Sequence, residues 1–163
     1  MEFEIVPLTD AHRNSVIDIF NFYILNSFAA YPENPLPYHA YEVFLQMSQG
    51  YPAAAVEDDS GAVLGFGMLR SHNSIATFSK TAEVTYFILD GQTGKGIGKM
   101  LLDHFAEEGK KKGITNILAS ISSLNPRSIE FHERNGFTKC GHFKSVGKKN
   151  GKIFDTIWLQ KVL

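Results

Sequence analysis

The 163-residue chain has one cysteine, Cys140, and one tryptophan. A lone cysteine excludes an internal disulfide and a cysteine-rich metal site, and it fits a reducing compartment. Lysine and arginine number 16 against 17 aspartates and glutamates. No basic surplus therefore marks a nucleic-acid surface. No apolar run approaches the ~20 residues of a membrane span. The acidic start, Met1-Glu2-Phe3-Glu4, lacks the basic opening of a signal peptide. The six histidines are scattered, with no pair at ligand spacing on one helix. These absences predict one cytoplasmic domain over residues 1–163, without metal, nucleic acid or membrane as partner.

What the chain does contain is a glycine-rich turn between a strand and a helix. Glu83–Leu89 reads as an apolar strand, Asp90–Lys99 as the turn, and the residues to Lys112 as an amphipathic helix. Glycines let a backbone come close to a ligand, and the first unpaired N–H groups of a helix face that ligand. The helix dipole adds a partial positive charge of roughly half a unit, and Lys95 and Lys99 add full charges nearby. The combination predicts a phosphate or pyrophosphate site. Two familiar patterns fail. A P-loop needs a glycine where Thr93 stands, and a dinucleotide fingerprint needs one at Lys99. What remains is Gly94-Lys95-Gly96-Ile97-Gly98 at a helix start. A turn with no ligand needs no such glycine density, because each glycine costs helix stability.

The rest of the chain frames this stretch. Phe3–Leu8 reads as a strand. A helix capped by Thr9 or Asp10 carries Val16, Ile19, Phe20 and Tyr23 to about Asn26. Ser27–Pro37 holds prolines and no period, so it is a surface loop. Its Phe28 and Tyr31 either line a pocket or anchor the loop. A short helix follows, its buried side formed by Tyr41, Phe44, Leu45 and Met47. Pro52–Glu57 and Val63–Arg70 form a hairpin across Asp58–Gly61. Beyond the central helix, which Gly113 stops, come the strand Ile114–Ile121 and a helix started by Asn125-Pro126. A last hairpin joins Phe137–Val146 to Ile153–Leu159 across Lys148–Gly151. The order β-α-α-β-β-β-α-β-α-β-β predicts an α/β fold, a mixed sheet of about seven strands with helices on both faces. The unit from Ala82 to Ile121 should be a right-handed parallel crossover.

The glycine turn resembles the pyrophosphate loop of the GNAT superfamily of N-acetyltransferases, whose form is Gln/Arg-x-x-Gly-x-Gly/Ala. Gly96-Ile97-Gly98 matches its end, and Thr93 departs from its start. A second motif agrees. Asn125-Pro-Arg-Ser128 through His132 to Gly136-Phe137 is similar to the family's Asn-x-x-(Ser/Ala)-x-x-x-Tyr-x-x-x-Gly-Phe, with His132 at the tyrosine position. The His-Glu pair, Glu83 after Thr81-Ala82, and Gly151–Asp155 resemble the phosphinothricin and methionine sulfoximine N-acetyltransferase branch. The element order is also the one the GNAT fold has. The resemblance implies acetyl-CoA as cofactor, held by Thr93, Gly94, Lys95, Gly96, Ile97, Gly98 and Lys99, with Asn125, Ser128 and His132 along the pantetheine arm. It further implies a bulge near Phe87, Ile88 and Leu89 that offers backbone groups to the thioester.

The chemistry needs a base, because an amine of pKa roughly 10 is protonated at pH 7. A carboxylate can take that proton directly or through one water. Glu83, in an otherwise apolar strand, is the candidate that the resemblance points to. His132 either protonates the departing thiolate or only binds cofactor. The loop Ser71–Lys80 should cover the acceptor. The branch places an arginine and a tyrosine there, where this chain has Ile75 and Phe78. The charge clamp is absent, unless Arg70, His72 or Lys80 replaces it. Phe28, Tyr31, His72 and Phe78 are the substrate candidates. The expected function is acetyl transfer to a small amino-acid-like amine. A protein or peptide amine, a non-catalytic acyl-CoA module and a nucleotide-phosphate binder stand as alternatives. A homodimer is expected from the branch alone.

Overall fold

The computed structural model describes residues 2–163. Among them seven strands form one sheet: β1 (Glu4–Pro7), β2 (Ala53–Glu57), β3 (Val63–Ser71), β4 (Thr81–Ile88), β5 (Asn116–Ser122), β6 (Thr138–Lys149) and β7 (Lys152–Val162). The order across the sheet is β1-β2-β3-β4-β5-β7-β6. The β4–β5 pair is parallel and the other neighbours are antiparallel. Four helices connect and cover the strands: α1 (Arg13–Asn26), α2 (Tyr41–Met47), α3 (Ile97–Lys111) and α4 (Pro126–Arg134).

Alternation along the central strands divides the core in two. Phe66 and Met68 of β3 pack with Val16, Ile17 and Ile19 of α1 and with Tyr41 and Phe44 of α2. On the other face, Ala82 and Val84 of β4 and Ile117 and Ala119 of β5 pack under Ile97, Leu101, Leu102 and Phe105 of α3. Two α3-facing positions of β3, Gly65 and Gly67, carry no side chain. A Cβ on Gly67 would lie 2.6 Å from Cβ of Tyr86 and 2.9 Å from the Phe105 ring. Glycine there lets α3 lie close to the sheet and leaves room for Tyr86.

The predicted α/β sheet with helices on both faces is the observed one, and two local readings change. The last hairpin is longer and its turn tighter: Lys149 closes β6 and only Asn150-Gly151 turn, both at positive φ (50° and 79°). That is the two-residue turn whose twist suits a hairpin. Met47, expected on the buried side of α2, is 38% exposed.

The functional consequence of the sheet lies at β4 and β5. They pair only from Thr81↔Asn116 to Glu83↔Leu118. Beyond Glu83 they part, although β4 continues to Ile88 and β5 to Ser122. The sheet opens into a cleft at that point.

Candidate active site

The cleft has a volume of about 1170 Å³ and runs from the α1–α2 face to the N-termini of α3 and α4. Glu83 sits where the strands part. It is 9% exposed. Its Oε1 lies 3.1 Å from the guanidinium of Arg70, directly across β3 in register. His72 Nδ1 lies 2.9 Å from Oε2 and donates to it. The Arg70 Nε–H also donates to Thr85 Oγ1 at 3.2 Å, and Trp158 stands edge-on to the His72 ring. A buried carboxylate is costly without partners. Two donors meet that cost, while each oxygen keeps a further lone pair for a substrate proton or a water.

The expected bulge in β4 is not there. Its register with β3 is unbroken from Ser71↔Ala82 to Gly65↔Ile88. The Leu89 N–H donates to Leu64 O. Antiparallel pairing alternates the direction of backbone groups, so the main-chain groups of Leu89 and Phe87 point to β3. Those of Val84, Tyr86 and Ile88 point to the opened side. The C=O of Ile88 accepts from the Tyr23 hydroxyl at 2.5 Å. Free backbone groups thus arise from the parting of two strands, and of the three expected residues only Ile88 supplies one, its N–H. Phe87 lines the cleft with its side chain; it packs edge-on against Phe20.

The glycine turn lies at the far end. Thr93, Gly94, Gly96, Ile97, Gly98 and Lys99 all line the cleft. Gly94 and Gly96 have φ of 78° and 85°, and a Cβ on either would meet open space. Their free surfaces are available to a ligand. Gly96 is the N-cap of α3, and its C=O takes the Met100 N–H. The N–H groups of the first turn are left without helical partners. Lys95 behaves otherwise: it is exposed, does not line the cleft, and its Nζ bonds Gln92 at 3.0 Å. Arg127 of α4, which the sequence reading passed over, does line the cleft. Asn125 makes no side-chain cap for α4 and, with Ser128, also lines the cleft.

His132 is 4% exposed. The Ser128 carbonyl accepts from its Nδ1 at 2.7 Å. A carbonyl can only accept, so the proton is on Nδ1, and Nε2 accepts from the Tyr86 hydroxyl. Burial lowers the His132 pKa, partly offset by the Ser128 bond. Burial raises that of Tyr86. Both rings therefore stay neutral, and the imidazole holds no spare proton to give. Tyr86, the other residue missed in sequence, lines the cleft beside it.

This pair predicts a pH response. The folded pKa of His132 lies below its ordinary 6.5. Above pH 6.5 neither folded nor unfolded chain holds the proton, so stability is full. Below it the unfolded chain binds the proton first, and stability falls until the folded pKa is passed. Urea titrations between pH 7.5 and 5 should show this decline, with a slope up to about 1.4 kcal/mol per pH unit. The slope should be shallower in His132→Asn. An equal slope in both proteins would exclude His132 as the source.

The remaining expected substrate residues divide. Tyr31 lines the cleft together with Phe20, Phe22, Phe44 and Met47. Phe28 does not line it; it anchors the loop on Phe154, ring centroids 6.0 Å apart. Phe78 sits 45% exposed on a single 3-10 turn and does not line the cleft. His72 does not line the cleft either, and acts on Glu83 from behind. No group of three or more histidine, cysteine, aspartate or glutamate side chains that could hold a metal occurs among the described residues. No helix among them is long and apolar enough to cross a membrane.

A partly opened sheet with a carboxylate at the fork and a glycine-rich helix start beyond it defines an acyl-CoA-dependent transferase. The profile of the acetyltransferase (GNAT) family matches residues 17–137, and the chain belongs to that family. It is 31% identical over 147 residues to the L-methionine sulfoximine/L-methionine sulfone acetyltransferase of Pseudomonas paraeruginosa, covering 89% of this chain and 86% of the relative. Among solved structures it resembles a GNAT superfamily phosphinothricin acetyltransferase from Sinorhizobium meliloti in complex with acetyl-CoA. That match has a TM-score of 0.93 at 28% identity, over 100% of this chain and 89% of the other. A ribosomal-protein-alanine N-acetyltransferase from Brucella melitensis superposes with TM-score 0.92 at 27% identity, over 98% and 99%. The chain is accordingly an acetyl-CoA-dependent N-acetyltransferase of GNAT fold, as the two sequence motifs implied.

Proposed function

We propose that the enzyme acetylates the primary amine of a small amino-acid-like molecule with an uncharged, largely apolar side chain. The observation that carries this reading is the acceptor end of the cleft. Phe20, Phe22, Tyr31, Phe44 and Met47 surround a floor whose charged groups, Arg70 and Glu83, already pair with each other. An apolar side chain gains from burial against such walls. A second acidic group would find no unpaired cation there. The relative named for methionine sulfoximine and methionine sulfone fits a neutral, polarisable acceptor better than phosphinothricin does.

In this reading Glu83 accepts the amine proton, directly or through one water, while Arg70 and His72 hold the carboxylate in place. Acetyl-CoA supplies the acetyl group as a thioester, whose carbonyl the amine attacks. The free N–H groups at the start of α3, with Lys99 and Arg127, hold its diphosphate. Asn125 and Ser128 flank its arm. Main-chain groups of Tyr86 and Ile88 face the reacting carbonyl. As the sulfur departs, the Tyr86 hydroxyl turns its one proton from His132 Nε2 to the thiolate and donates to it. One catalytic domain in the cytoplasm suits a free, exposed Cys140. A homodimer suits the exposed Phe143, Val146 and Ile153 around the free edge strand β6.

The test is release of free thiol from acetyl-CoA with a panel of acceptors. It contains methionine, its sulfone and sulfoximine, leucine, phenylalanine, phosphinothricin and a short peptide with a free N-terminus. The neutral amino acids and methionine derivatives should give the highest kcat/KM, with phosphinothricin well below them. Transfer to the peptide alone would overturn the substrate class and favour a protein N-terminus as acceptor.

A further inference from the structure

Lys149 is a lysine that the reaction does not use, yet it is 1% exposed. Its Nζ lies 2.7 Å from each of three carbonyl oxygens, those of Ile24, Ser27 and Ala30. An ammonium has three N–H donors, and here every one has a partner. Ile24 is in the last turn of α1, where carbonyls lack helical donors and the dipole is negative. That turn has no basic residue of its own. The cation reaches it from β6, more than a hundred residues along the chain. Besides the Phe28–Phe154 contact, three more join the same two segments. The Asn150 N–H donates to Glu33 at 2.7 Å. Tyr31 stacks on Phe154 with centroids 5.5 Å apart. Lys152 lies 5.7 Å from the centroid of the Phe28 ring. The fastened segment is the one whose Ala29, Ala30, Tyr31 and Pro32 line the acceptor end of the cleft.

We propose that Lys149 is a positioning residue for the acceptor. By fastening residues 27–33 to the β6–β7 hairpin it sets the wall against which the acceptor side chain packs. It thereby governs acceptor affinity and selectivity, while leaving acetyl-CoA binding alone. The inference rests on the reading that this end of the cleft receives the amine. A loop held by a buried ammonium has one resting position. Without it, three carbonyls lose their donor and the wall moves.

Lys149→Met keeps the stem and removes the donors. In steady-state assays with both substrates varied, the acceptor KM should rise about tenfold or more. The acetyl-CoA KM should stay within about threefold, and selectivity between phenylalanine and a smaller amino acid should flatten. A purely structural lysine would instead lower kcat through lost active protein and leave both KM values unchanged. That result, or an unchanged acceptor KM in folded enzyme, overturns the proposal. If Lys149→Met does not fold, Glu33→Ala, at an exposed position, removes the neighbouring tie; an unchanged acceptor KM there also overturns it. Wild-type enzyme that acetylates none of the panel would refute the substrate reading itself, a distinct outcome.

Discussion

Glu83→Gln should lower kcat by about 10²–10⁴-fold, the range a general base contributes, while acetyl-CoA affinity stays within about twofold. Glutamine has the same volume and still offers its carbonyl oxygen to one donor, but it cannot take the amine proton. The amide N–H₂ will face either the Arg70 guanidinium or the His72 Nδ1–H, which lie 3.1 and 2.9 Å from the carboxylate. Some stability is therefore lost as well. Arg70 has a side-chain exposure of 32%, so water softens that loss. Calorimetric titration with acetyl-CoA separates the two effects, since the glycine-rich turn proposed to hold the diphosphate lies beyond the strand fork. If turnover survives within threefold of the wild-type rate, Glu83 is a structural partner of Arg70 and the base lies elsewhere. Raising the pH adds neutral amine and should recover part of the activity of the variant, because the missing step is proton removal.

The second large effect is expected at Gly96. Its φ of 85° is in the left-handed region, where a β-branched residue is a genuine outlier. A Cβ there meets nothing in the protein, so the damage in Gly96→Val comes from backbone strain of about 1–3 kcal/mol and from a side chain in the ligand's space. The strain either shifts the start of α3 or turns its free N–H groups away. Acetyl-CoA should bind about tenfold or more weakly, while the acceptor KM at saturating acetyl-CoA is little changed. Equal affinity in the variant, measured by calorimetry, would remove this turn from the cofactor site. Gly98→Ala is the milder companion. Its Cβ would sit 3.4 Å from the Phe131 ring at ordinary helical φ, a contact that a small ring shift relieves.

The two experiments probe parts of the site that differed in how readable they were. The glycine turn could be read from the chain because its constraint is local: closely spaced glycines before an amphipathic helix specify their own geometry. Glu83 stands out as a carboxylate in an apolar strand, and the family resemblance points to it. Its partners could not be read. Arg70 and His72 meet it through the β3–β4 register and the loop beyond, and a period of two predicts a face without naming the neighbour on it. For the same reason nothing in the local pattern pairs Tyr86 with His132, 46 residues away. Sequence alone does not choose between the pocket and the anchor for Phe28, nor place Phe78, because an apolar residue outside a regular element carries no signal of direction. Lys149 reads as part of the turn Lys148–Gly151, and only carbonyls distant in the chain account for its burial.

By itself, then, the order of apolar periods and turn residues determined the strand and helix succession and the glycine-rich start of α3, because each depends on neighbours within a few residues. Tertiary structure alone decided where β4 and β5 separate, which main-chain groups face that opening, and which charges meet Glu83 and the end of α1. Those features arise from pairings between distant segments, and hydrogen-bond geometry across the sheet, with no counterpart in local spacing, selects the partners.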